Sequence, residues 1–131
     1  MYWLDGHHSH KNNPSENFPR ELMELFTLGK GHYTFQDVKE ASRAFTGRRI
    51  DYTNYPFSMY VDENAFDNSN KTILGKTGNW NGEDVIDIIL SEYQTAKHIS
   101  KSAMVFFLKV EVANNPRMLP SLVRWTARLC R

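Results

Sequence analysis

The chain predicts a mainly α fold: an antiparallel helical hairpin, further packed helices, and a small β-hairpin-like excursion around residues 55–75. Three observations predict it. Residues 17–28 carry a dense apolar face and are followed by Gly29 and Gly31 as stops. Thr34-Phe35-Gln36-Asp37 has the form of a capping box, and Phe35, Val38, Ala41, Ser42 and Phe45 then follow helical spacing up to Gly47. Residues 50–62 switch to a period near two through Tyr52, Tyr55, Phe57, Met59 and Val61.

Each element follows from local chemistry. Residues 5–16 are polar and turn-rich and read as a loop. Pro19 decides where the first helix starts. With Ser15 as cap, Pro19 would stand where an intrahelical donor is needed; with Asn17 as cap it falls in the first turn, where none is missed. Asn17 is therefore the expected cap, and the helix runs to about Leu28. Asp67-Asn68-Ser69-Asn70 is a turn signal, and Lys71-Thr72-Ile73-Leu74 a short strand. Asn81-Gly82-Glu83-Asp84 opens the next helix, with acids where the dipole favours them. Val85, Ile86, Ile88, Ile89 and Leu90 make the helix over 83–90 apolar nearly all round, which implies deep burial. Thr95 is the expected cap of a helix over 96–108 with Ile99, Ala103, Phe106 and Phe107 inward. A linker at Asn114-Asn115-Pro116 and a short helix from Pro120 complete the order.

Bulk properties narrow the function classes. The 131 residues suit one domain with a real core. A net charge of +1 gives no global electrostatic basis for binding nucleic acid or membrane. No apolar run reaches membrane-spanning length, so no transmembrane segment is expected. A single cysteine, Cys130, excludes an internal disulfide and a cysteine zinc cluster. Met1–His7 shows no signal-peptide pattern.

Three strings in order carry a family resemblance. The first is Asn17 through Gly29, reading Asn-x-x-Arg-Glu-Leu-Met-Glu-Leu-Phe-Thr-Leu-Gly. The second is Tyr33-Thr34 through Asp37-Val38, then Ala41 through Gly47. The third is Lys71 through Gly78, followed by Gly82 through Ile89. Over about residues 3–108 the chain resembles the bacterial domain of unknown function 1800 family, and residues 109–131 form an unrecognised segment with a short basic helix. The chain departs from the family pattern at Pro19, where Ala is usual, and at Phe66, where His is common. Ser102-Ala103-Met104 replaces a Lys-Leu-aromatic triplet.

The resemblance implies a periplasmic or extracellular protein of an exported system. It implies neighbouring genes for a sulfatase-like protein, and further helices in a longer parent chain, of which this would be an internal or C-terminally diverged piece. Two functions follow as expectations. One is a scaffold or binding protein working with a sulfatase-like partner. The other is part of a hydrolase acting on an anionic or sulfated substrate.

The candidate catalytic residues are Arg20, Glu21 and Glu24. At 100° per residue Arg20, Glu24 and Thr27 share one stripe opposite Leu22 and Phe26, with Glu21 at its margin. Glu21 or Glu24 would act as acid–base and Arg20 would hold an anion. The structural alternative is a partly buried Arg20–Glu24 pair one turn apart, and it is the preferred reading. The candidate metal ligands are His7, His8 and His10 beside Asp5; they lack a helical spacing that would fix their geometry, so a polar loop is preferred.

No cofactor motif stands out. Gly75-Lys76-Thr77 imitates the end of a phosphate-binding loop, but the earlier glycine is Asn70 and no helix opens after it. Gly75 and Gly78 read instead as turn residues. Asp62 through Asn70 is rich in oxygen ligands without the glycine and glutamate of an EF-hand loop. Arg124, Arg128 and Arg131 stripe the last helix beside Trp125, which snorkelling on an ordinary terminal helix explains.

Overall fold

The computed structural model describes residues 9–53 and 55–114. These fall into two compact units that divide after Ala96. The sequence expectations for His7, His8, the linker at 115–116 and the helix from Pro120 lie outside the described residues.

The first helix, α1, spans Asn17–Glu21 and runs on as a π-helical turn over Leu22–Thr27. Glu16, not Asn17, occupies the N-cap, and no side chain caps the helix end. Pro19 still lies in the first turn, as its missing donor requires. The π turn is closed by the Leu28 N–H donating to the Met23 carbonyl, five residues back, at 2.9 Å. Thr27 Oγ1 donates to the Leu22 carbonyl at 2.6 Å. This widened turn breaks the 100° wheel: Met23 and Thr27 point inward, while Leu25 and Phe26 are exposed.

Gly29 and Gly31 reverse the chain in the left-handed region. α2 follows at Phe35–Ala44. Its capping box forms as the sequence implies, with Thr34 Oγ1 accepting from Asp37 N and the Asp37 carboxylate accepting from Thr34 N. Val38, Ala41 and Ala44 bury one face, and the Phe45 ring meets Phe18 edge-on at 4.9 Å. Phe35, at the start of this series, is exposed under the cations of Lys39 and Arg20.

Four strands then overturn the mainly α expectation; the fold is mixed α and β. β1, Arg48–Asp51, pairs antiparallel with β2, Ser58–Val61. β3, Lys71–Ile73, pairs antiparallel with β4, Lys76–Gly78. The expected single excursion around 55–75 is thus two separate hairpins. β1 follows directly on a helix stop, and its charged pair Arg48-Arg49 hides the strand from an apolar-period reading. Two residues link β3 to β4, Leu74 at φ 49° and Gly75 at φ 79°. Both φ values are positive, as a tight hairpin turn of this hand demands. Gly78 is no turn residue: a Cβ there would meet the Trp80 ring at 2.6 Å.

α3, Gly82–Leu90, carries a second complete capping box, Asn81 with Asp84. It is two-sided rather than buried all round: Val85, Ile88 and Ile89 are inside, Ile86 and Leu90 exposed. α4 spans Tyr93–Asn114, starting before the expected Thr95 cap. Thr95 is instead inside the helix and buried, its hydroxyl donating to the Ile89 carbonyl at 2.6 Å. Ile99, Ala103, Phe106 and Phe107 are exposed rather than inward. Spacing names the residues that share a face; it does not supply a covering surface.

Met23, Leu28, Val38, Phe45, Ile73, Val85 and Ile89 meet in one core. Gly47, between α2 and β1, lies against the Asp62–Phe66 turn, with φ +74° and a Cβ position 2.7 Å from the Asp62 carbonyl and 2.8 Å from Phe66 N. Those neighbours are backbone and cannot swing aside. Gly47→Ala should therefore cost about 2–4 kcal/mol in urea unfolding. Gly31→Ala, with φ +83° but nothing within 4 Å, should cost only the left-handed strain, about 1 kcal/mol.

Candidate functional site

Two polar constellations stand out among the described residues. The first surrounds the sequence candidates on the first helix. Arg20 turns back to Glu16, one turn earlier, with Nη2 to Oε2 at 2.9 Å. It does not form the expected Arg20–Glu24 pair, because the π turn rotates Glu24 toward the next loop. There Glu24 Oε1 meets Lys30 Nζ at 3.1 Å, and Oε2 accepts from the Tyr33 hydroxyl at 2.9 Å. The bonds from Lys30 and then Tyr33 hold the Glu24 carboxyl below the usual range, while burial and then Glu24 push the Tyr33 hydroxyl up. Glu21 is half-buried beside them. Arg20 and Glu24 are thus held by different partners, Arg20 within its helix and Glu24 by Lys30 and Tyr33 of the following loop.

The second constellation was not singled out from sequence. It joins the polar face of α2 to the turn and hairpin that follow Phe66. The Arg43 guanidinium is its centre. Nε donates to Asp67 Oδ2 at 2.7 Å, Nη1 to Glu40 Oε2 at 2.7 Å, and Nη2 to Ser69 Oγ and to the Asn70 carbonyl. Ser69 Oγ and Ser69 N both donate to Asp67 Oδ1. Thr46 Oγ1 accepts from Asp67 N at 2.9 Å and donates to the Arg43 carbonyl at 2.7 Å. Glu40 and Asp37 then accept from the backbone of the hairpin, at Thr72 N and Leu74 N.

Burial alone would raise the Asp67 carboxyl. The bonds from Arg43 and Ser69 outweigh it and bring Asp67 down to about 2. On Arg43 the bond to Asp67 is the largest effect; with the bond to Glu40 it outweighs desolvation and raises the guanidinium.

Lys71 completes this region. It is a fully buried charged side chain. Nζ donates to the Ser69 carbonyl at 2.9 Å and to Asn79 Oδ1 at 3.2 Å, and lies 4.9 Å from the centre of the Phe66 ring. Burial pushes its ammonium down. The Asn79 amide is oriented by its own bond to Asn68. A buried amine invites a nucleophilic reading. At 1% exposure no substrate reaches it, so its chemistry here is internal solvation of a cation.

Of the candidate metal ligands only His10 is among the described residues; its Nδ1 accepts from Asn12 N at 3.1 Å. Asp62 and Asp67 each accept from a backbone N–H two residues on, which makes the oxygen-rich stretch a pair of turns. Lys76 Nζ donates to Ser91 Oγ at 2.9 Å rather than facing a phosphate cradle.

Fold and site together define a small mixed α/β module whose polar residues tie loops to helices. The chain belongs to the family described as protein of unknown function, DUF1800, whose model matches residues 1–127. No match was found to a curated protein or to a solved structure.

The Arg43–Asp67 link gives a pH prediction. Asp67 is depressed in the folded state, so its contribution is complete above its unfolded value near 3.8 and is lost as pH falls toward 2. That contribution is about 2 kcal/mol. Arg43→Ala should lower stability at neutral pH by about 2–3 kcal/mol and flatten the loss between pH 4 and 2, as read by urea unfolding across that range.

Proposed function

We propose that this chain is a binding or scaffolding module of an exported bacterial system and works with a sulfatase-like partner. The observation that carries the binding over the catalytic reading is the state of Glu24. A general base or acid must present its carboxyl to the substrate. Both Glu24 oxygens are engaged, by Lys30 and by Tyr33, and Arg20, the intended anion holder, is engaged by Glu16. The hydrolase alternative, with Glu21 or Glu24 as acid–base and Arg20 as anion binder, would have to break these bonds first. Export and the sulfatase-like partner rest on the family resemblance of the Asn17–Gly29, Tyr33–Gly47 and Lys71–Ile89 strings.

Titration calorimetry of the chain against a sulfatase-like protein of the kind the family resemblance implies as its neighbour tests the binding reading. Saturable binding is expected, with Glu24→Gln binding within about twofold of the parent. Turnover of a sulfated or acidic glycan by the purified chain, abolished in Glu24→Gln, would replace this reading with the hydrolase.

A further inference from the structure

The last turn of the first helix has two packings open to it, and the structure holds the one that apolar spacing disfavours. Pro19 and Met23 are buried. In an unbroken α-helix the next residue on that face lies seven beyond Pro19 and three beyond Met23, and it is Phe26. The widened turn moves that place on by one residue. Thr27 fills it at 6% exposure, and the Phe26 ring is left 62% exposed. Burying a hydroxyl while exposing a phenyl ring is unfavourable on hydrophobic grounds, so polar contacts offset it.

Two sets of contacts do this. The Thr27 hydroxyl donates to the Leu22 carbonyl, five residues back, at 2.6 Å. Beside it the Leu28 and Gly29 N–H groups both donate to the Met23 carbonyl, at 2.9 and 3.0 Å. At α pitch Leu28 would donate to the Glu24 carbonyl instead. Further out, the wide turn delivers the Glu24 carboxylate to Lys30 and Tyr33. At α pitch Glu24 would stand one turn on from Arg20 and share its guanidinium with Glu16. That is the Arg20–Glu24 pair the sequence spacing implies.

We infer that this segment is a two-register switch whose latch is the Thr27 hydroxyl. Latched, the π turn shows Phe26 to solvent and ties the loop at Lys30 and Tyr33 to the helix through Glu24. Released, the turn closes to α pitch. Phe26 then enters the place of Thr27, Glu24 passes to Arg20, and the Tyr33 hydroxyl loses its acceptor. One internal rearrangement thus changes the exposure of a ring and the state of a phenol together, whatever the chain binds.

The test is NMR of the full chain, with coupling across the hydrogen bond showing which carbonyl accepts from Leu28 N–H. In the parent and in Thr27→Ser that carbonyl should be Met23. In Thr27→Val and Thr27→Ala, which lack the hydroxyl, it should be Glu24. In the same two variants the Phe26 ring should lose its relaxation by a soluble paramagnetic agent. Burial and then the Glu24 bond push the Tyr33 hydroxyl up, with Glu21 adding to this and Arg20 opposing it. Its titration should therefore move down in the two hydroxyl-less variants and stay in Thr27→Ser. The parent should show microsecond-to-millisecond exchange confined to the amides between Leu22 and Leu28. Retention of the Met23 acceptor without the hydroxyl, an unmoved Tyr33 titration, the same changes in Thr27→Ser, unfolding of both hydroxyl-less variants, or a parent without that exchange would each overturn the inference.

Discussion

Arg43 is the side chain on which this arrangement turns. Its planar fork meets Glu40 on its own helix and Asp67, Ser69 and Asn70 on a turn more than twenty positions later. A lysine would supply the charge without the geometry, because only a guanidinium reaches several acceptors in fixed directions. With the turn so held, β3 starts in place, Ile73 enters the core and Lys71 is carried beneath the surface. The cost of burying Lys71 is offset by a carbonyl, an amide oxygen and an aromatic face.

Glycine and aromatic residues set the distances around this seam. Gly82 sits where a Cβ would strike the Phe45 ring and the Arg48 guanidinium, so α3 approaches α2 and β1 at backbone range. Gly78 admits the Trp80 ring in the same way, and the Trp80 indole N–H reaches the Lys76 carbonyl at 3.1 Å. The second hairpin is thereby closed at both ends, by a tight turn and by an indole.

What could be read from sequence was what local chemistry decides. Thr34 with Asp37 forms the capping box the sequence implies, and a helix opens after Asn81 as expected, with Asp84 completing a second box that the sequence reading did not name. Pro19 placed the first helix to within one residue. The errors arise where distant residues decide. Asp67 looked like a turn residue and is one, but its bond to Arg43 spans 24 positions. The Glu24 partners depend on a π turn that no wheel of fixed pitch reveals. The class itself was misjudged because β1 to β4 are three or four residues each, too short for their alternation to stand out beside the helices. Lys71 gave no sign of burial, since the groups that solvate it are Ser69, Phe66 and Asn79, brought round it only by the folded hairpin.

The β3–β4 hairpin closes the rim of β3 with side chains. A strand at the rim of a sheet offers unpaired amides to any extended peptide that passes. β3 withholds them: its outward amide at Thr72 donates to Glu40, and the next, at Leu74, to Asp37. Helix carboxylates take the place of a neighbouring strand. A foreign strand would have to displace two ionised acceptors from amides already satisfied, and would bring only neutral carbonyls in return. This rim is therefore closed to strand exchange and fibril growth while the chain remains folded. The protection comes from side chains of α2, so it fails together with that helix.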